Sequence, residues 1–419
     1  GKSGLYPAAG LALMPTFVMY GRMSRAYSMN VALALVSTIL FVQALKHPSP
    51  RLWTSYIIAA IVLLYTDYAL IGLLLAQNLY VGYLALVPWR GEGGSTSAPH
   101  PNPLPIEGRE RAWLVAQTII AVAFVPWLAV VAIQVQRGRL EADFAHGLSG
   151  YLLKLAYPVL SLGTGETIFP WQPPAILGLL AVAILFVLGL IALARRSRAL
   201  VVLVLVLLVT PFLFTAVLLS SVATDITFIN MASRTLFAAP FCALILAAGI
   251  VHLRVWPWRL IAIVILIAAW AAALSNYYTN HSFHNPIYAV PMRQIAEMVV
   301  AETQAGDIIV SDVDSGFGYY YARSKGTAPH FSSFTEGEAA KQAIEATSAP
   351  RVWLVTLGRD RTRVDAPGEL FAAWLDSCYY LAESRGYARE DERYRRLKEM
   401  LLKRPDYEYK ALVRLYLRR

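Results

Sequence analysis

Seven ionisable side chains stand where long apolar segments end: Arg22, Arg25, Asp67, Lys154, Glu166, Asp225 and Arg234. Charge in or beside a bilayer is costly unless it is paired, hydrated or functional. Three guanidinium groups and one ammonium beside three carboxylates suit a pocket for an anionic group, and arginine forks match phosphate oxygens in pairs. The competing explanation is that the basic residues snorkel to lipid headgroups. Arg22 and Arg25 share a face if their segment is helical, being three residues apart. Asp67, between Tyr65 and Tyr68, suits either a hydroxyl contact or the capping of a turn. Glu166 ends Gly163-Thr164-Gly165-Glu166, where the glycines allow a backbone to approach a ligand closely or make an ordinary turn.

Other chemistry is weaker. His146, His281 and His284 have no metal spacing, and Cys242 and Cys378 form no framework. Asp312, Asp314 and Gly316 lack the further oxygens of a calcium loop. Gly316-Phe317-Gly318 lacks the third glycine of a dinucleotide fingerprint and reads as a turn.

The elements that must position these residues are membrane spans. Of the 419 residues, 57% are hydrophobic and 15% charged, against about 25% charged in soluble domains. Nine apolar segments are candidate spans, at 5–20, 27–45, 52–65, 68–88, 112–133, 174–194, 199–219, 235–252 and 257–275. This composition excludes a soluble cytosolic enzyme, a disordered chain and a small disulfide scaffold. Residues 1–284 hold 17 basic and 8 acidic side chains and residues 285–419 hold 20 and 19, so the net charge of +10 lies mostly in the apolar half. The change of composition sets a domain boundary near 284, with 1–284 as a transmembrane helical domain and 285–419 as a soluble α/β domain. No basic stripe accompanies a recognition motif, so nucleic acid is not an expected partner. Basic residues follow the even-numbered spans: Lys46 and Arg51; Arg90, Arg109 and Arg111; Arg195, Arg196 and Arg198; Arg254 and Arg259. The positive-inside rule then makes those loops cytoplasmic and sends the C-terminal domain outside, in the periplasm or beyond the cell.

Between the spans, 91–110 reads as a connector rich in proline, glycine and serine, and 134–173 as one or two helices lying on the outer membrane face. In the tail, helices are expected over 291–305, 337–347 and 369–375 and strands over 308–310 and 351–357, giving a small, mostly parallel sheet. The charged run 385–404 reads as a solvated helix. The chain opens without an initiator Met or a signal-peptide n-region, as expected of a point inside a longer protein.

Four stretches carry a resemblance to a known family: Met14-Pro15-Thr16-Phe17-Val18-Met19-Tyr20 with Arg25-Ala26-Tyr27; Leu64-Tyr65-Thr66-Asp67-Tyr68; Ser233-Arg234-Thr235-Leu236; and Pro291-Met292-Arg293 with Gly306-Asp307-Ile308-Ile309-Val310. In that order they resemble the membrane-embedded glycosyltransferases of the GT-C class that use polyprenyl-phosphate sugars. The branch is that of protein O-mannosyltransferases, the lipid A aminoarabinose transferase and rhizobial lipopolysaccharide transferases. The resemblance implies a polytopic helical fold in the inner (plasma) membrane and transfer of a sugar from polyprenyl phosphate to an acceptor hydroxyl or amine. It implies that Arg25, Tyr27 and Arg234 hold the donor phosphate, and that Glu166 lies toward the acceptor. Arg22, Asp67, Lys154 and Asp225 complete the expected pocket. Asp67 stands where the family usually has His, and Met23 where it commonly has Glu. The family's principal acidic residues lie in a first outer loop ahead of the segment that opens this chain, so no catalytic base is assigned. No protein-bound metal is assigned either, although a divalent metal is compatible with the chemistry. Membrane lipids, the lipid-linked donor, an unidentified acceptor and a chain or complex supplying the missing N-terminal spans are the implied partners. Two rival readings are an inactive assembly subunit of this fold and a transporter, which would need paired repeats or broken spans at mid-membrane.

Overall fold

The structure is a computed structural model and describes residues 4–23, 26–86, 106–139, 148–219, 230–285, 288, 290–312, 316–333, 335–358, 367–387, 392–402 and 410–419. The chain divides into two units, Gly1–Ser275 and Asn276–Arg419. Of the connector expected at 91–110, residues 91–105 lie outside the described residues, and 106–110 are not a loop but the start of a helix, Ile106–Arg139.

Proline breaks the first expected span. Instead of one helix over 5–20, α1 (Leu5–Leu13) and α2 (Pro15–Gly21) meet at Met14, which is extended at φ −61° and ψ 119°. Pro15 lacks an N–H and disfavours helical geometry in the residue before it, yet is well placed at the first turn of α2. The chain continues through α3 (Tyr27–Lys46), α4 (Pro50–Thr66), a 3-10 turn at Tyr68–Leu70, α5 (Ile71–Leu86) and α6 (Ile106–Arg139). Then come α7 (Leu148–Thr164), α8 (Pro173–Arg196), α9 (Arg198–Leu213) with a π-helical turn at Phe214–Leu219, α10 (Met231–Arg234), a 3-10 turn at Leu236–Ala238, α11 (Ala239–His252) and α12 (Trp256–Tyr278). Among the described residues, six helices are long and apolar enough to cross a membrane: Tyr27–Lys46, Tyr68–Leu86, Glu110–Ile133, Pro173–Arg196, Arg198–Leu219 and Trp256–Tyr278. Pro50–Thr66 and Leu236–His252 are apolar but shorter. The protein is a polytopic helical membrane protein.

Two devices hold this unit together. Small residues let α8 and α11 touch backbone to backbone: a Cβ on Gly189 would lie 2.0 Å from Ile245 O, and one on Gly249 would lie 2.0 Å from Leu185 O. Such close packing substitutes for the hydrophobic effect, which lipid does not supply. A polar ladder joins α3 to α6. Tyr56 Oη donates to Gln77 Oε1 at 2.8 Å, Gln117 Nε2 donates to Tyr56 Oη at 3.2 Å, and Gln77 Nε2 donates to Ser37 Oγ at 3.4 Å.

The second unit is a mixed sheet with order β2-β1-β3-β5-β4. Its elements are α13 (Met292–Glu302), β1 (Ile308–Ser311), α14 (Phe317–Arg323), β2 (His330–Ser332), α15 (Gly337–Thr347), β3 (Arg351–Gly358), α16 (Pro367–Cys378), β4 (Tyr379–Tyr387), α17 (Glu392–Leu402) and β5 (Lys410–Arg418). β1 pairs in parallel with β2 and β3, whereas β5 lies antiparallel between β3 and β4. The expected mostly parallel sheet is thus half antiparallel. The turn read at Gly316-Phe317-Gly318 opens α14, and the charged run read as one helix is split between the end of β4 and α17. Ile308, Val310, Val352 and Leu354 pack against α15 and α16, and Ile309, Trp353 and Val355 pack against α13 and α14. Asp307, buried at the mouth of β1, accepts Arg351 Nη2 at 2.8 Å, Trp353 Nε1 at 3.1 Å and Gln304 N at 2.9 Å.

The α8–α11 crossing makes a direct prediction. Gly249→Ala forces the helices apart and should cost at least ~1–3 kcal/mol. A clearly lower thermal unfolding midpoint in detergent is expected, while Gly82→Ala, whose Cβ would meet nothing within 4 Å, leaves the midpoint unchanged or higher. Equal midpoints would refute the close crossing.

Candidate functional site

The polar centre of the first unit forms where α7 ends. Thr164 completes the helix, Gly165 turns the chain at φ +98°, and Glu166 follows. A Cβ on Gly165 would lie 2.8 Å from Pro15 Cβ and 3.1 Å from Ala273 Cβ, so the turn is pressed between α2 and α12. Glycine is required here for its positive φ and for that contact. Neighbouring bonds pin the same segment to α12: Trp270 Nε1 donates to Gly163 O at 2.8 Å, and Thr167 Oγ1 donates to Ala273 O at 2.6 Å. Of the two expectations for these glycines, the tight turn is the one observed.

This turn carries the Glu166 carboxyl into the bundle, where the residue is 2% exposed. Three hydroxyls reach it. Tyr20 Oη of α2 and Tyr157 Oη of α7 donate to Oε2 at 3.0 and 3.2 Å, and Ser161 Oγ donates to Oε1 at 2.8 Å. Thr16 extends the cluster, with its Oγ1 3.0 Å from Ser161 Oγ. Tyr157 and Ser161 are four residues apart and share a helical face. Glu166 itself lies between α7 and α8, outside the six spanning helices. Burial pushes its carboxyl up to about 7, although the bonds from Ser161, Tyr20 and Tyr157 act in the opposite direction.

Around this centre the expected residues fall into three groups. Lys154 lies on the same stripe of α7, one turn before Tyr157; it is buried, with its ammonium 5.6 Å from the Tyr151 ring centroid. It has no carboxylate partner among the described residues. Tyr27 is buried at the start of α3, its ring edge-on to Tyr20 at 5.1 Å. Arg234 ends α10, which packs against α7 through Met231 and Leu155, and is half-buried and engaged in contacts of its own. Glu166, Tyr27, Lys154 and the helix bearing Arg234 therefore converge on α7 and α2.

Asp67 and Arg22 behave differently. Asp67 Oδ1 accepts Ala69 N at 3.0 Å, capping the turn after α4, and Oδ2 accepts Asn30 Nδ2 at 3.2 Å. Capping is the observed role. Arg22 is exposed and follows the last residue of α2. α2 stops at Gly21, so Arg22 stands outside it, and the face it was expected to share with Arg25 depends on a residue that is not described. Arg25, Asp225 and His146 lie outside the described residues. The helix expected within 134–173 is α7, and its stripe of Lys154, Tyr157 and Ser161 is buried within the bundle. Thr16, Tyr20, Tyr157 and Ser161 complete the site without having been expected there. The i,i+4 spacing of Tyr157 and Ser161, five residues before a lone glutamate, was the available signal for two of them. Among the described residues, no group of three or more His, Cys, Asp or Glu side chains is arranged to hold a metal ion.

Comparisons with protein-family models, with curated proteins and with solved structures each find no match to this chain.

The raised carboxyl fixes the sign of a pH effect. A carboxyl that ordinarily titrates at 4.5 and is held at about 7 when folded contributes fully below 4.5 and progressively less as pH rises through 7. Relative to Glu166→Gln, the wild type should therefore lose stability between these values, on the order of 3 kcal/mol in all. Thermal midpoints of both proteins across pH 4–8 measure this; a gap that does not change with pH would contradict it.

Proposed function

We propose that this chain is a membrane-embedded transferase that moves a sugar from a polyprenyl-phosphate carrier to an acceptor hydroxyl or amine. The observation that carries the reading is the convergence on α7 of a buried ammonium, Lys154, the α10 helix bearing Arg234, and the buried carboxyl Glu166. Cations at such a place complement the charge that builds on a leaving phosphate when its bond to the sugar breaks. The acceptor oxygen or nitrogen forms the new bond to the same sugar carbon and gives up a proton. In this reading Arg234, with Arg25 and Tyr27, holds the donor phosphate, and Lys154 adds charge to it. Glu166 and its hydroxyl partners organise the acceptor side. A carboxyl that titrates near neutral pH suits proton exchange there. The alternation of basic loops supports an inner-membrane protein whose tail unit and reaction lie on the non-cytoplasmic side. The four motif stretches support the GT-C class.

A second reading has its own support. The Glu166 oxygens are occupied by three hydroxyls and the residue is 2% exposed, an arrangement that also suits a structural lock in an inactive assembly subunit of the same fold.

Proteoliposomes containing the full protein and a radiolabelled polyprenyl-phosphate sugar distinguish the two. The transferase reading expects donor binding and transfer in the wild type. It expects transfer to fall at least ~10-fold in Arg234→Ala, the loss of a charge-assisted hydrogen bond, with partial recovery in Arg234→Lys. Donor binding and transfer unaffected by Arg234→Ala would overturn the phosphate assignment. A wild type that neither binds nor transfers the donor but co-purifies with a larger membrane complex would favour the assembly role.

A further inference from the structure

The carboxyl edge of the parallel strands in the second unit presents three polar side chains in one row. Ser311 of β1 pairs with Ser332 of β2 and Val355 of β3. One residue further, Asp312 N donates to Val355 O at 3.1 Å and Ser333 N donates to Ser311 O at 2.9 Å. Ser333, Asp312 and Thr356 therefore make the next row, roughly 10 Å from end to end across three strands. Alternation sets it on the face of Phe331, Val310 and Leu354, the face covered by α15 and α16. The first turn of α16 comes close to it: a Cβ on Gly368 would lie 2.7 Å from Asp312 Oδ2 and 2.9 Å from Thr356 Cγ2.

Both flanking hydroxyls are buried without a hydrogen-bond partner. Thr356 is 1% exposed and Ser333 9%, and neither Thr356 Oγ1 nor Ser333 Oγ makes a bond. A buried hydroxyl in that condition has given up its water bonds without replacement, and a native fold normally avoids this. Two in a single row call for an explanation beyond packing. Their location supplies one. After β1 the chain passes to α14 on one face of the sheet, whereas after β3 it reaches α16 on the other. Adjacent strands whose connections leave to opposite faces open a crevice at their carboxyl ends, where open α/β sheets bind ligands.

The chemistry narrows the ligand. Asp312 already has an interaction of its own within the chain, but a carboxylate offers about four acceptor positions. It attracts hydroxyl donors and repels anions. An apolar ligand would leave the two hydroxyls unbonded, and a cation would need more oxygen ligands than one carboxylate and two hydroxyls. We propose that the Ser333–Asp312–Thr356 row binds a neutral polyhydroxyl ligand, a sugar ring presenting adjacent hydroxyl groups. The inference concerns this unit alone and does not rest on the proposed transfer reaction.

Saturation-transfer NMR tests it on the full chain in lipid nanodiscs free of sugar-headgroup detergent. The probes are the methyl glycosides of mannose, glucose, galactose and rhamnose. At least one glycoside should receive saturation from the wild type. Thr356→Val and Ser333→Ala should each weaken its binding by about five-fold, the effect of one neutral hydrogen bond. The thermal midpoint of each variant should stay level or rise, because an unbonded buried hydroxyl has been removed. The proposal fails if no glycoside binds or if both variants bind as the wild type does. It also fails if the Thr356→Val midpoint falls, because the hydroxyl would then have a structural partner.

Discussion

A carboxyl buried in an apolar helical bundle must find hydrogen bonds inside the protein, and much of the first unit is arranged around that requirement at Glu166. Its partners come from α2 and α7, so satisfying one side chain fixes how two helices sit. α2 can present Tyr20 and Thr16 together because Pro15 restarts the helix after the break at Met14. Gly165 can turn the chain because it has no Cβ to strike Pro15 or Ala273. Trp270 and Thr167 then bind the same turn to α12. Break, turn and hydroxyl cluster are one construction, in which each part is explained by the carboxyl it surrounds.

The second unit solves the corresponding problem with an ion pair. Asp307 sits at the entrance to β1 and gathers a guanidinium, an indole N–H and a backbone N–H. This ties the first residues of β1 and β3 to the end of α13. Among the described residues, one buried carboxyl is thus bound by hydroxyls and the other by a charge. Burial raises the first, against the pull of its three hydroxyl donors.

Much of the architecture was legible in the amino-acid order. Apolar length identified the spanning helices, because a bilayer imposes that length on a sequence. Strands β1 and β3 and helices α13, α15 and α16 could be read from short apolar runs between turn residues. The first span was misread because apolar length was weighed above Pro15. Strands β4 and β5 were missed because the charges in Tyr379–Tyr387 run into a charged stretch and those of Lys410–Arg418 recur every fourth residue, both of which resemble a solvated helix when no partner strand is known. At the site, Glu166 stood out as a lone carboxylate directly after two glycines, Gly163 and Gly165. Tyr20, Tyr157 and Ser161 did not, since a tyrosine or serine in an apolar helix is common and only the fold shows what its hydroxyl meets. Asp67 looked like a site residue for the same reason Glu166 did, but its bonds to Ala69 N and Asn30 are those of a cap.

Infrared difference spectroscopy of the full protein in nanodiscs, comparing wild type with Glu166→Gln, tests the central claim most directly. The account predicts a protonated-carboxyl C=O band in the wild type at acidic pH, downshifted by hydrogen bonding, absent from the Gln variant and lost as pH rises through about 7. A Glu166 that is already fully ionised at pH 5, with only carboxylate bands responding to the substitution, would contradict it.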